Sequence, residues 1–241
     1  MQRIALVTGA SRRVGAEIAR QLHAEGYAIA VHCRQSTAEA TALAAELDAA
    51  RTDSTSVHVA DLALPEAPAR LVDEVITRWS RLDLLVNNAA IFEATPIAET
   101  DAKGFNHIVD VNLRAPFLLA RAAAAALEAS GGSIVNLTDI YADRPKPSHT
   151  VYCGSKAGLV GITKALARDL APAVRVNAVA PGAILWPEDG ETDERAAILA
   201  RIPLGRCGSA ADVAGAVRYL ATASYVTGHV LAVDGGRGIF D

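Results

Sequence analysis

The hydrophobic pattern changes period at regular intervals along the chain. Residues 4–8, Ile-Ala-Leu-Val-Thr, form an apolar run that stops at Gly9, and Val14, Ile18, Ala19 and Leu22 then recur at helical spacing as far as Gly26. This predicts strand, glycine turn and helix. The alternation continues with a strand at 27–33, a helix at 38–50, a strand at 56–60, a helix at 66–80 and a strand at 82–86. Residues 101–129 read as helical with an interruption near Pro116, and the alanine run at 122–126 as a tightly packed helix. A strand at 133–138, a helix at 151–170 and a strand at 174–179 ending at Pro181-Gly182 follow. Residues 185–208 mix apolar and charged positions around Pro187 and Pro203, as a mobile flap with a short helix would, before a last helix at 210–221 and a last strand at 230–233.

Strands alternating with helices imply parallel βαβ units. The expected fold is α/β, a doubly wound (Rossmann-type), mostly parallel seven-stranded sheet with helices on both faces and its ligand crevice at the carboxyl ends of the strands. Those ends carry Gly9, residues 33–36, Asp61, Asn87, Thr138-Asp139 and Pro181-Gly182. Without a linker, repeat or low-complexity tract, residues 1–241 are expected to form one domain.

Composition narrows the function classes. A 51% apolar content supports a large core, and the net charge of −4 with scattered Lys and Arg argues against a nucleic-acid surface. No signal-peptide pattern and no apolar run of membrane-spanning length occurs. Cys33, Cys153 and Cys207 lack CxxC spacing, and the histidines at 23, 32, 58, 107, 149 and 229 lack ligand spacing, so neither a metal nor a catalytic histidine is expected. The expectation is a soluble, cytoplasmic protein in a reducing compartment.

The chemistry concentrates in residues 139–156. Tyr152 and Lys156 are four residues apart, one helical turn, about 6 Å along the axis. An ammonium beside a phenol is expected to stabilise the phenolate and lower its pKa towards neutrality. Asp139 lies thirteen positions before Tyr152, at the end of a strand. It could cap a loop or relay a proton. Gly9 and Gly15 bracket a strand-to-helix turn, which is either a simple turn or a cradle for an anionic pyrophosphate at a helix N-terminus. The second strand ends in His32-Cys33-Arg34-Gln35-Ser36, with none of the acid that would hold a ribose diol, so a 2′-phosphate and hence NADPH is favoured.

Thr8-Gly9-x-x-x-x-x-Gly15, Asn87-Asn88-Ala89-Ala90, Asn112, Tyr152-x-x-x-Lys156 and Pro181-Gly182 together resemble the short-chain dehydrogenases/reductases over essentially the whole chain. That family binds NAD(P)(H) and transfers hydride with a tyrosine, a lysine and an asparagine, with a serine usually thirteen positions before the tyrosine. Here Arg13 replaces the usual middle glycine and Asp139 the serine, both as in pteridine reductases. Phe92, four residues after Asn88, matches that subfamily's pterin-stacking aromatic. The stretch 23–28 followed by His32-x-x-x-Ser36 adds to the similarity.

The resemblance implies catalytic roles for Asp139, Tyr152, Lys156 and Asn112, the last holding a water in a proton chain to the lysine. The implied cofactor site comprises Gly9, Ser11, Arg12, Arg13, Val14 and Gly15 at the turn, and Arg34, Gln35 and Ser36 at the 2′-phosphate. Asp61, Leu62, Asn88 and Ala89 lie on the adenosine side, and Tyr152, Lys156, Pro181, Gly182 and Ile184 around the nicotinamide. Which of Arg34 and Gln35 takes the phosphate stays open. Arg13, Phe92, Asp139, Tyr152 and Trp186 are the candidate substrate residues, although Phe92 and Trp186 could equally be packing residues. The expected activity is NADPH-dependent reduction of a dihydropterin to its tetrahydro form, with dihydrofolate a further candidate, in a homotetramer whose flap at about 185–208 covers the substrate. The alternatives are a carbonyl reductase or alcohol dehydrogenase of the same family and a non-catalytic NADPH-binding regulatory protein.

Overall fold

The computed structural model describes residues 2–184 and 192–239. Seven strands, β1 (Arg3–Val7), β2 (Tyr27–Cys33), β3 (Thr55–Val59), β4 (Leu84–Asn87), β5 (Ser133–Leu137), β6 (Arg175–Pro181) and β7 (Val230–Val233), form one sheet in the order β3-β2-β1-β4-β5-β6-β7. Every pairing in it is parallel. The chain runs outward from β1 to β3, then returns to the other side of β1 to lay down β4. This reversal opens a crevice above the carboxyl ends of β1 and β4, where such sheets bind ligands.

The inner strands are buried on both faces, and their side chains alternate between two cores. Ala5 and Val7 of β1 pack with α1 (Arg13–Ala24), α2 (Thr37–Ala50) and α8 (Ala210–Thr222), through Ile18, Leu22, Leu43, Val213, Val217 and Leu220. Ile4 and Leu6 turn to the opposite face, covered by α3 (Ala67–Trp79), α5 (Ala115–Ser130) and α6 (Thr150–Asp169), through Leu71, Val75, Leu119, Ala123, Leu127 and Ala167. The alanine run therefore lies in α5, where Ala123 is fully buried and its small side chain lets the helix sit close to Leu71 and Val75 of α3.

The expected helix at 101–129 is two helices joined by a π-helical turn, and the break lies just before the proline rather than at it. α4 (Ala102–Val109) passes into the π segment Asp110–Arg114, and Pro116 sits in the first turn of α5. Proline is tolerated there because the first-turn N–H groups have no intrahelical partner. Of the expected flap, residues 185–191 and with them Trp186 lie outside the described residues. The described part carries α7 (Thr192–Leu199) and is anchored by the buried Ile202. Among the described residues no helix is long and apolar enough to cross a membrane, and no cluster could hold a metal ion.

Candidate active site

The glycine spacing has a steric cause. Gly9 follows β1 with φ +62, and a Cβ on Gly15 would stand 2.2 Å from the Gly9 carbonyl oxygen, so the start of α1 and the end of β1 approach at a distance only glycine permits. Three further residues fix this turn. Asn88 Nδ2 donates to the Thr8 and Gly9 carbonyls at 2.8 and 3.0 Å, and the Thr8 hydroxyl accepts from the Asn88 and Ala89 backbone amides at 2.9 and 3.0 Å. Gly9 N donates to His32 Nδ1 at 3.1 Å, which leaves Nε2 to donate to the Ala60 carbonyl at 3.1 Å. Burial drives the His32 pKa down to about 4, so the ring is a neutral strut between the ends of β1, β2 and β3.

α1 begins without help from any side chain. Its N-cap, Arg12, makes no capping bond and the first turn holds no acid, so the N-terminal amides and the positive end of the dipole face the cleft. Arg13 has φ +54, the left-handed region where glycine is the ordinary residue and any other side chain costs about 1 kcal/mol or more. The cleft, of about 380 Å³, is lined by the expected residues Gly9, Ser11–Gly15, Arg34–Ser36, Asp61, Leu62, Asn88 and Ala89. It is lined also by His32, Cys33 and Ala90, which the motifs contained without a ligand role, and by Ala60, Ile91 and Val111, for which the motifs gave no signal. Arg12, Arg13 and Arg34 are exposed, and no ion pair forms on them among the described residues. Ser36 is the N-cap of α2, yet its hydroxyl makes no cap bond and remains available to a ligand. Cation, free hydroxyl and uncapped helix ends fit a dinucleotide carrying a 2′-phosphate.

Across the crevice, β5 delivers Asp139 and α6 delivers Tyr152 and Lys156. Tyr152 Oη donates to Asp139 Oδ2 at 2.7 Å, while Oδ1 accepts from the Tyr141 amide at 2.8 Å. Asp139 is thus both a cap of the short turn Ile140–Ala142 and the partner of the phenol, joining the two readings of its role. Lys156 is fully buried, donates to the Leu137 carbonyl at 2.7 Å, and stands 5.8 Å from the Tyr152 ring centroid. Burial pulls its pKa down to about 8, against the opposing pull of Asp139.

The expected lowering of the Tyr152 pKa is not what this geometry produces. Burial first, and then the Asp139 carboxylate and the hydrogen bond to it, hold the phenol well above its ordinary value. Tyr152 is a retained proton donor. Burial also raises the Asp139 pKa, although its bonds from Tyr141 and Tyr152 and the charges of Lys156 and Arg237 oppose this.

Asn112 lies in the π segment and is 1% exposed. Its Oδ1 accepts from Ile91 N at 2.8 Å, and its Nδ2 donates to Ile91 O at 2.9 Å and to Ser155 Oγ at 3.3 Å. The amide is spent on tying the segment after β4 to the first turns of α6. Any contribution to a proton path must come from its carbonyl, whose donor four residues on would be Pro116, which has no N–H.

Phe92 is 52% exposed, so it is no core plug. Its ring meets Tyr152 edge-on at 4.7 Å between centroids and stacks on His149 at 4.8 Å and on Tyr141 at 6.5 Å. An aromatic wall therefore stands beside the Asp139–Tyr152 pair. Pro181 ends β6 and Gly182 and Ile184 follow it, where a Cβ on Gly182 would meet Asp234 Cβ at 2.6 Å, so this loop too needs glycine for close approach.

Residues 9–237 match the family model described as Enoyl-(Acyl carrier protein) reductase. The chain is 37% identical over 242 residues to the 3-oxoacyl-[acyl-carrier-protein] reductase FabG of Staphylococcus aureus (strain Mu50 / ATCC 700699), covering 98% of both chains. It is also 37% identical to the 3-oxoacyl-[acyl-carrier-protein] reductase of Synechocystis sp., covering 98% of this chain and 97% of that one. A crystal structure of a blue fluorescent protein from a metagenomic library in complex with NADPH superimposes with a TM-score of 0.91 at 38% identity, covering 98% of this chain and 97% of that one. These relatives do not carry the name of the pteridine reductases, so they bear on the broad family and not on that subfamily. Matched from the first glycine of the turn to Arg237, and to full-length relatives, the chain belongs to the short-chain dehydrogenase/reductase family of oxidoreductases.

Proposed function

We propose that the protein is an NADPH-dependent reductase of a dihydropterin, acting on a C=N bond of the pterin ring. The observation that carries the reading is the 2.7 Å hydrogen bond from Tyr152 to the Asp139 carboxylate. A carbonyl reduction builds negative charge on oxygen, which a neutral hydroxyl stabilises and a neighbouring carboxylate repels. Reduction of a ring C=N instead requires a proton at nitrogen. The buried phenol, which keeps its proton, is suited to supplying it, and the carboxylate that accepts its hydrogen bond to passing on a replacement. Arg12, Arg13, Arg34, Ser36 and the α1 N-terminus would hold the cofactor, which when bound supplies the hydride. Lys156 would bind at the nicotinamide ribose, Phe92 would cover the flat heterocycle, and Asn112 would hold α6 in register. The described part of the expected flap, 192–208, would cover the substrate in a homotetramer.

The second reading, reduction of a 3-oxoacyl thioester, is favoured by the names of the relatives at 37% identity. NADPH oxidation by the purified protein decides between them, with dihydropterins, dihydrofolate, 3-oxoacyl thioesters and simple ketones as substrates. Turnover of thioesters alone would sink the pterin reading, and no turnover of any would favour a non-catalytic binder.

Two variants test the site. Arg34→Ala is expected to weaken NADPH binding about ten- to a hundredfold, the value of a charge-assisted hydrogen bond, and to narrow the NADPH-to-NADH ratio correspondingly. An unchanged ratio would move the role to Gln35 or Ser36. Phe92→Ala is expected to raise the KM for a pterin about three- to tenfold through lost stacking, with stability within about 1 kcal/mol of the parent because the ring is half exposed. Should the variant unfold, Phe92 is a packing residue after all.

A further inference from the structure

Behind the aromatic wall lies a second cavity, of about 640 Å³, between the segment 140–147, α7 and the C-terminal turn Arg237–Ile239. Its lining holds four cationic residues, Arg144, Lys146, Arg201 and Arg237, and no carboxylate among the described residues, in a chain whose net charge is −4. Lys146 and Arg201 bring like charges to one cavity, and an anion between them would relieve their repulsion. Lys146 and Arg201 make no ion pair among the described residues. Ile140, Pro145 and Ile198 add apolar wall, so the cavity suits a group with a short apolar linker and a charged end.

Tyr141, which lines the cavity, links it to the reacting end of the crevice. Arg237 donates to Tyr141 Oη at 3.3 Å and its guanidinium stands 5.5 Å from the Tyr141 ring centroid. Tyr141 stacks on Phe92, which meets Tyr152, and Lys146 Nζ lies 5.8 Å from the Phe92 ring centroid. The charge of Arg237 is felt at the Asp139 carboxyl as well. A molecule flat against Phe92 would thus have cations at its far edge.

We infer that this cavity is an anion subsite, which holds a carboxylate or a phosphate carried on the substrate's side chain. It rests on the proposed reduction of a pterin for the head group, but not for the charge at the tail. Arg201 and Lys146 are its principal donors, Arg201 through the guanidinium fork that matches either anion.

The test is steady-state kinetics of the full chain with NADPH and three dihydropterins, whose side chains end in a neutral hydroxyl, a carboxylate or a phosphate ester. The parent protein is expected to prefer one or both anionic substrates about ten- to a hundredfold in kcat/KM, and the two charged arms identify the source. Arg201→Gln and Lys146→Gln are each expected to cut that preference about tenfold through KM, and the double variant to bring it near unity. Added salt should shrink the preference of the parent in the same direction. Equal turnover of charged and neutral substrates by the parent, or an equal loss on both in the variants, would overturn the inference. So would a change in oligomeric state on sedimentation with the preference intact, which would make the cavity a contact between copies of the chain. If no dihydropterin is turned over, the pterin reading has failed. The subsite is then judged by the same variants on a 3-oxoacyl thioester of coenzyme A, which is anionic, against that of N-acetylcysteamine, which is neutral.

Discussion

Tyr152→Phe is expected to lower kcat for a dihydropterin about 10²- to 10⁴-fold, the usual worth of a positioned proton donor, while NADPH binding persists. Asp139→Asn should lower it too, although asparagine keeps an oxygen to accept the 2.7 Å bond from the phenol and so preserves the geometry. What the amide cannot do is take up and pass on a proton. If the two groups act in one step, the double variant will be scarcely worse than the poorer single one. The pH profile gives an independent readout. The charge of Asp139 is the second largest of the effects that raise the Tyr152 pKa, so replacing the carboxylate by a neutral amide should lower that pKa even with the hydrogen bond kept. The alkaline limb of kcat, where the phenol loses its proton, should move to lower pH in Asp139→Asn. Full turnover by Asp139→Asn on every pterin oxidation state would reduce Asp139 to a loop cap. A gain of ketone reduction in Asp139→Ser, with loss of pterins, would make this position the selector of substrate class.

Both the pairing itself and the error in its sign are instructive about what a sequence conveys. Period alone placed Asp139 at a strand end and Tyr152 and Lys156 one helical turn apart, and the family resemblance supplied their common role. The direction of the Tyr152 pKa was not legible, because it depends on how deeply the hydroxyl is buried and on whether its hydrogen bond goes to a carboxylate or an ammonium. Lys156 turns to the Leu137 carbonyl instead, a backbone partner no side-chain motif encodes. The π segment at Asp110–Arg114 was hidden for a related reason, since one extra residue in a turn hardly disturbs the apolar spacing of a helical stretch. Pro116 signalled a break but not its place. The left-handed backbone of Arg13 is likewise invisible in its identity, although the glycine usual at that position in the family hinted at it. The seven strands were read well, because strands buried on both faces are continuous apolar runs. The cationic cavity was not, because residues 144, 146, 201 and 237 share no period and meet only once the chain is folded.

Gly15→Ala is expected to be the most damaging single methyl group in the molecule. A Cβ at this position would lie 2.2 Å from the Gly9 carbonyl oxygen, 2.6 Å from Asn88 Nδ2 and 2.9 Å from the Gly9 carbonyl carbon. None of these atoms can yield freely. The Gly9 carbonyl accepts from that same Asn88 amide at 3.0 Å, the Gly9 amide is held by His32, and Asn88 also ties down Thr8. Relief requires α1 to move away from the end of β1, which loosens the packing of Ile18 and Leu22 and shifts the amides that face the cleft. Overpacking of this kind costs about 1–3 kcal/mol or more, which in a chain of 241 residues lowers Tm by roughly 2–4 °C per kcal/mol. NADPH affinity should fall more steeply than stability, because the displaced amides are those that would hold the pyrophosphate. Gly161→Ala is the matched control. It lies in α6 with no atom within 4 Å of its added Cβ, and is expected to raise stability by about 0.5–1 kcal/mol through helix propensity. If Gly15→Ala melted with the parent and bound NADPH as tightly, the turn would have room that this geometry denies it, and the glycine would no longer have a steric explanation.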